Sequence, residues 1–323
     1  MLRVGYPARI DSKFLGVFPP EVELIPLHDG MSEPLELDVW LPDPYPTRAQ
    51  RIWPHLRGVK LVLSMMAGTD WMPGVLGPHV TICKAHGAHN ISTAEWTLTA
   101  ILTMLKHVPL YLDIQREGNW RRRTEATTQY EQLNRDPRPL YPPVLLEELT
   151  GRRVLMVGYG AIGKEIERML APFHVQLTRV ARSARANPEV RPVSGLDALI
   201  PDAEVIVLIL PLTDESRGLM GPKQMSLMRQ GALLVNSARG GVVHTDALVD
   251  ALNSGRIRAA VDVTDPEPLP EEHPLWKCPN LLITPHVAGS SPRFAPRALK
   301  VAADELRRYM AGEPLQNAVQ IGI

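Results

Sequence analysis

Apolar residues in the second half of the chain gather in short runs, and helix-compatible stretches and turn residues separate them. The runs Val154–Val157, Val175–Val180, Glu204–Ile209, Ala232–Asn236, Ala259–Val263 and Leu281–Thr284 have the length and β-rich content of buried strands. Between them, segments around Lys164–Leu170, Gly195–Leu199, Lys223–Met228 and Thr245–Asn253 read as helices. This alternation predicts a doubly wound parallel α/β sheet of the Rossmann kind.

The first half is less regular. Leu2–Tyr6, Val22–Leu27, Val59–Ser64 and Val80–Cys83 read as short strands of a smaller α/β unit. Pro42, Pro44 and Pro46 mark a loop, because proline supplies no ladder donor. Residues 91–118 carry apolar positions at helical spacing, with Ser92 or Thr93 as N-cap. Residues 119–150, with Pro137, Pro139, Pro142 and Pro143, are irregular and are expected to form an arm or a subunit contact. Arg121–Arg123 within them reads as a solvated or phosphate-neighbouring charge run with no assigned chemistry. A final helix is expected over Ala298–Met310, closed by Gly312.

The first strand of the regular half leads straight into Gly158-Tyr159-Gly160-Ala161-Ile162-Gly163 and then a helix. In such a turn Gly158 reverses the chain, Gly160 admits a pyrophosphate to the backbone and Gly163 lets helix and strand pack closely. The helix N-terminus then presents free N–H groups to the phosphates. Taken alone, the glycines also fit a plain tight turn; the strand before and helix after favour a dinucleotide.

Function in such a sheet belongs at the strand ends. Three of them carry polar residues that packing does not explain: Arg239 after the Ala232 run, Glu267 after the Ala259 run and His286 after the Leu281 run. Singly, these read as a salt-bridge partner, a solvated loop acid and a satisfied loop histidine. Together they put a cation, a carboxylate and an imidazole on one rim, the set needed for hydride transfer to a 2-oxo acid. After the Val59 strand, Ala67 and Gly68 leave backbone N–H groups where a ligand could bind, although an ordinary strand-to-helix loop has the same look.

Composition narrows the partners. Of the 323 residues, 35 are Lys or Arg and 35 Asp or Glu, so no basic surface argues for nucleic acid or an anionic membrane. Cys83 and Cys278 are isolated in sequence and form no metal-spacing or redox motif, which fits a reducing cytoplasm. The N-terminal stretch lacks a signal-peptide core, and no apolar run approaches the ~20 residues of a membrane helix. A soluble cytoplasmic protein without a metal site is expected.

MAG at 66–68, TAE at 93–95, GYGAIG at 158–163, LPLT at 210–213, NSARGG at 236–241, DVTDPEPLP at 262–270, HPLW at 273–276 and TPHVAG at 284–289 follow in a specific order. By these the sequence resembles the D-isomer-specific 2-hydroxyacid dehydrogenases over nearly its whole length, most of all the glyoxylate/hydroxypyruvate reductase branch. The resemblance implies a discontinuous, flavodoxin-like substrate domain (1–90 and 290–323), a dinucleotide domain (91–289), an active site in the cleft and a homodimer. It implies Arg239, Glu267 and His286 as the catalytic trio, and Met66, Ala67 and Gly68 with Arg239 as the holders of the substrate carboxylate. For the cofactor it implies Thr93, residues Gly158 to Gly163, Leu210, Pro211, Ser237, Ala238, Arg239, His286 and Gly289, with Asp262 near the nicotinamide carboxamide.

Some features depart from the pattern. Thr264 stands where the family often has an aromatic residue, the 119–150 segment looks long, and no additional C-terminal regulatory domain of the 3-phosphoglycerate dehydrogenase kind is expected. The cofactor is expected to be NADP(H), with NAD(H) possible. NAD forms end the second strand with an acid about 20 residues after the glycine loop. Here the strand ends Arg179-Val180-Ala181-Arg182-Ser183-Ala184-Arg185, and Arg182, Ser183 and Arg185 can pair with a 2′-phosphate. As solvated loop charges they would do nothing. Met65, Met66, Trp71 and Trp276 fit either an apolar pocket for a bulkier acid or the core. A non-catalytic nicotinamide-sensing scaffold is the remaining alternative, and the intact trio argues against it.

Overall fold

The computed structural model describes residues 1–134 and 146–319. The chain divides into two compact units, Met1–His89 with Ser290–Ile323, and Asn90–Gly289.

In the first unit the strands are β1 (Leu2–Pro7), β2 (Val22–Leu27), β3 (Leu35–Glu36), β4 (Val39–Trp40), β5 (Leu56–Arg57), β6 (Leu61–Leu63) and β7 (Thr81–Cys83). Five of them form a parallel sheet in the order β2-β1-β4-β6-β7, while β3 and β5 pair apart. Counting the five main strands alone gives the flavodoxin-like order 2-1-3-4-5. The sequence reading passed over β4, whose ladder is two residues long, yet Val39, Trp40 and Leu41 are almost wholly buried.

The unit's helices include α1 (Pro46–Ile52) and α2 (Met72–Leu76). Pro46 is therefore the opening of a helix and not part of a loop; its missing N–H costs nothing at a first turn. The last helix, α10 (Phe294–Ala311), returns to this unit and is closed by Gly312 in the left-handed region at φ +67°, as expected. Ala298, Ala302 and Ala303 let it lie close over Val4, Leu61 and Leu63 in one buried cluster.

The second unit carries α3 (Asn90–Leu105), α4 (Val108–Glu117) and α5 (Glu125–Asn134) before its sheet. The strands are β8 (Arg153–Val157), β9 (Gln176–Ala181), β10 (Arg191–Pro192), β11 (Val205–Leu208), β12 (Leu233–Asn236), β13 (Arg258–Val261) and β14 (Leu281–Ile283). They form one parallel seven-stranded sheet ordered β10-β9-β8-β11-β12-β13-β14. The order reverses between β8 and β11, which is where such sheets take a dinucleotide. The remaining helices are α6 (Ala161–Leu170), α7 (Leu196–Leu199), α8 (Pro222–Leu227) and α9 (Thr245–Asn253). Leu155, Val157, Ile206 and Leu208 face one apolar cluster and Val154, Met156, Val205 and Val207 the other. Burial on both faces is why these strands read as apolar runs.

Three expectations for residues 91–150 need correction. The expected single helix breaks at His107, which sits at φ +50°, and Pro109 enters the first turn of α4. A proline inside a continuous helix would have clashed with the preceding turn. Ser92 and Thr93 lie inside the first turn of α3 and do not cap it. The irregular segment also begins with structure: a 3₁₀ turn over Trp120–Thr124 and then α5. There Arg122 donates to Glu125 at 2.7 Å and to Glu117. Its far end is core, since Glu147 and Leu149 are buried and Arg258 donates to Glu147 Oε1 at 2.5 Å. The four prolines from 137 to 143 lie outside the described residues.

Among the described residues no helix is long and apolar enough to cross a membrane.

Candidate active site

The glycine turn is built by close backbone approach. Gly158 sits at φ +104°, and a Cβ there would lie 2.1 Å from the carbonyl oxygen of Ile209, at the end of β11. No side chain can occupy that position, so β8 turns into α6 directly against its neighbour strand. Gly160 precedes α6, makes no side-chain cap bond, and has open space where a Cβ would project. An uncapped helix N-terminus facing open space fits a pyrophosphate. Tyr159, Ala161 and Ile162 complete this turn, and Leu210 and Pro211 follow β11 beside it.

The next strand end carries Arg239. Asn236 locks the turn that presents it, accepting from the Ala238 N–H at 3.0 Å and donating to the Arg239 carbonyl at 3.0 Å. Ser237 meets the Thr97 hydroxyl at 3.0 Å, and Thr97 donates to the Thr93 carbonyl at 2.8 Å, which ties the turn to α3. At Gly240 a Cβ would stand 1.9 Å from the Thr264 carbonyl oxygen. The Arg239 turn and the loop after β13 thus touch backbone to backbone.

That second loop carries Glu267, and Glu267 Oε1 lies 2.5 Å from His286 Nδ1. His286 itself has φ +53°, an uncommon conformation for a non-glycine residue. It is held there by its own N–H, which donates to the Asp262 carbonyl at 2.7 Å. The Asp262 carboxylate, almost fully buried, accepts from the Thr284 hydroxyl at 2.5 Å, from the Val287 N–H at 2.9 Å and from the Ala288 N–H at 2.8 Å. One buried acid therefore fixes the histidine loop from both sides.

The hydrogen bond to the Glu267 carboxylate raises the His286 pKa above its ordinary value. Burial lowers it, the Glu267 charge raises it, the Arg239 charge lowers it and the Asp262 charge raises it. A guanidinium, a carboxylate and an imidazole thus stand within electrostatic reach of one another. With Nδ1 committed to Glu267, Nε2 is the nitrogen left to exchange a proton with a ligand.

The family profile described as D-isomer specific 2-hydroxyacid dehydrogenase, NAD binding domain, matches residues 98–288. The chain belongs to this family. It is thus an oxidoreductase that moves a hydride between a nicotinamide dinucleotide and a 2-hydroxy or 2-oxo acid. A glyoxylate reductase of Aeropyrum pernix is 31% identical over 249 residues, covering 76% of this chain and 70% of that protein. The mitochondrial formate dehydrogenase of Hordeum vulgare is 30% identical over 272 residues, covering 80% and 67% respectively. A D-isomer specific 2-hydroxyacid dehydrogenase from Xanthobacter autotrophicus Py2, solved in complex with NADPH and MES, superposes with a TM-score of 0.75 at 27% identity. That structure covers 99% of this chain, and this chain covers 98% of it.

Within this dehydrogenase the other sequence-named residues are placed as follows. Thr93 is buried in α3, and Ser92 next to it donates to the Gly289 carbonyl at 3.1 Å. Arg182, Ser183 and Arg185 are exposed on the turn after β9, where Arg185 and Val190 exchange backbone bonds at 3.0 and 2.9 Å. In the first unit Met66, Ala67 and Gly68 are half-buried, and the Met66 N–H donates to the Ser64 hydroxyl at 3.0 Å. Met65 is core there, and Trp71 packs partly buried against a second core cluster. Trp276, on the second unit, is 49% exposed and donates to the Pro270 carbonyl at 2.8 Å.

Sequence reasoning missed two positioning residues, Asn236 and Thr97. An asparagine ending a strand before a tight turn is a signal for the first. Nothing local marks the second.

Proposed function

We propose that this enzyme reduces a small 2-oxo acid of the glyoxylate/hydroxypyruvate type to its D-2-hydroxy acid, using NADPH in preference to NADH. The observation that carries the chemistry is the Glu267–His286 pair at 2.5 Å within reach of the Arg239 charge. The 31% identical glyoxylate reductase supports the substrate class, and the exposed Arg182 and Arg185 support the cofactor.

Arg239 binds the substrate carboxylate with a planar fork of donors and polarises the neighbouring ketone. Met66, Ala67 and Gly68 serve as the carboxylate's second anchor in this reading. Gly158 to Gly163 hold the pyrophosphate, Leu210, Pro211, Ser237 and Ala238 line the dinucleotide, and Asp262, Thr93 and Gly289 lie toward the nicotinamide end. Bound NADPH supplies the hydride to the carbonyl carbon. Imidazolium Nε2 of His286 gives its proton to the carbonyl oxygen as charge develops there, while Glu267 holds Nδ1 and keeps the ring cationic. In the reverse direction neutral His286 takes the hydroxyl proton.

A cytoplasmic homodimer belongs to the same reading, and Val108, Leu112 and Trp120 expose apolar surface that a second copy would cover. The deciding experiment is steady-state reduction of a panel of 2-oxo acids, including bulky ones, with NADPH and NADH, alongside formate oxidation. The reading requires glyoxylate or hydroxypyruvate to give the highest kcat/KM, with NADPH ahead of NADH. A bulky 2-oxo acid or formate as the best substrate overturns it. Light scattering at micromolar concentration should give twice the monomer mass.

A further inference from the structure

An acid does stand beside the glycine turn, although residues 182–188 after β9 contain none. It is Glu167, on α6 one helical turn beyond Gly163. The side chain of Tyr159, buried at the heart of the glycine turn, runs along this face of α6 and donates its phenol to Glu167. From the neighbouring strand, Arg179 closes on the same carboxylate, with Nε donating to Oε2 at 3.0 Å and its terminal nitrogen donating to Oε1. Two-point donation from a guanidinium is the geometry that uses its charge most fully.

Two guanidiniums lie over the Tyr159 ring. The Arg179 guanidinium lies 5.6 Å from the ring centroid and that of Arg185 lies 5.7 Å from it. Arg185 also donates to the Tyr159 carbonyl at 3.1 Å, which anchors it beside the glycine turn. One arginine is therefore spent on Glu167, and the other is aimed from the same aromatic platform toward the turn.

We propose that Arg179 and Tyr159 are positioning residues for cofactor selectivity: they neutralise Glu167, so the charge presented to the ribose 2′ position is that of Arg185 and Arg182, undiminished by the acid. Tyr159 touches both Glu167 and Arg185, and charges within a Debye length of about 8–10 Å act on one another. An uncompensated carboxylate at that range opposes a 2′-phosphate by a modest, measurable factor, about three- to tenfold. The geometry also explains why the acid does not act as a ribose-hydroxyl acceptor: its oxygens are already occupied by Arg179 and the phenol.

This inference rests on the reading that the exposed arginines receive a 2′-phosphate, and its test separates the two. The ratio of kcat/KM for NADPH to that for NADH in the unmutated enzyme tests that reading alone. The change in this ratio on substitution tests the neutralisation, whatever the starting value. Arg179→Gln should lower the ratio about three- to tenfold, and Arg179→Gln with Glu167→Gln should restore it to within about twofold. Calorimetry gives a second readout: adenosine 2′,5′-bisphosphate should bind more weakly to Arg179→Gln and normally to the double variant, with AMP binding equal in both. Glu167→Gln alone, which keeps the fold's cation, should raise the ratio by a similar factor and serves if Arg179→Gln does not fold. An unchanged ratio in Arg179→Gln, a double variant that stays low, or a Glu167→Gln ratio that does not rise would each overturn the proposal.

Discussion

Two ends of the same sheet edge handle charge in opposite ways. At the rim that carries Arg239, Glu267 and His286, the loops are fixed by main-chain bonds and buried side chains. Asp262 takes three donors, Asn236 pins its turn, and Gly240 lies against Thr264 with no room for a methyl group. At the other end, after β9, Arg182, Ser183 and Arg185 project from an exposed turn. In the proposed reading the contrast is between chemistry and discrimination. A proton transfer needs its groups held to fractions of an ångström before reaction. Choosing between a phosphate and a hydroxyl needs only the right sign of charge within reach, and exposed cations supply that. Substitutions at the rim should therefore cause large losses in turnover, and those after β9 small shifts in preference.

The largest effect is expected at His286. His286→Ala removes the proposed proton donor, and a general acid of this kind is worth about 10²–10⁴ in rate. Steady-state kcat for 2-oxo acid reduction is the measurement, and near-normal turnover would sink the assignment. Arg239→Ala should worsen kcat and KM together, because in the proposed mechanism one side chain both binds the carboxylate and polarises the ketone. Arg239→Lys should recover only part of the loss, since an ammonium cannot reproduce the two-point fork. Full recovery by lysine would mean that charge alone matters at this position.

A smaller effect at the rim is a shift along the pH axis. The Glu267 hydrogen bond raises the His286 pKa, so the acid form needed for reduction persists to higher pH than an isolated histidine would allow. Reduction should fall as pH rises through that raised value, and oxidation should rise there. Glu267→Gln removes the carboxylate charge, so the descending limb of kcat/KM for reduction should move to lower pH. A limb that stays in place would show that Glu267 does not set the titration of His286.

These regions also differ in how far the amino-acid sequence discloses them. Six of the seven strands of the second unit are plain because a parallel sheet covered on both faces demands apolar runs, and Val205–Leu208 is wholly buried; the seventh, β10, is two exposed residues and carries no such run. The trio is plain because each member follows such a strand. The strand β4 is hidden because two ladder residues beside a proline-rich stretch carry no period. The break at His107 is hidden because apolar spacing continues across it. Roles that join distant segments are the least visible. Asp262 sits among apolar neighbours, and only the fold shows that it grips residues 284–288. Glu167 escapes because it precedes β9 in sequence, while an acid near the adenosine end is naturally sought after that strand.

The smallest expected effect, and the sharpest limit on the contrast, concerns the division of labour between Arg182 and Arg185. Both are exposed, and exposed charge pairs contribute little, about 0–1 kcal/mol. Charge-assisted hydrogen bonds to a phosphate reach about 1.5–3 kcal/mol, so the pair together should favour NADP(H) by roughly ten- to a few hundredfold. The two are not equivalent. Arg185 is anchored by the Tyr159 ring and carbonyl, which reduces the entropy lost when it meets a ligand. Arg182 has an acidic neighbour instead: the carboxyl of Glu215 is held below its usual range first by the Thr213 hydroxyl, with a smaller contribution from the Arg182 charge. Arg182→Ala should raise KM for NADPH about three- to tenfold and leave NADH kinetics nearly unchanged. Arg185→Ala should raise it more. If Arg182→Ala instead costs more than Arg185→Ala, the anchored arginine is not the principal phosphate ligand. If neither changes KM for NADPH, these side chains are solvated loop charges, and the contrast between the two ends of the sheet edge fails at this end.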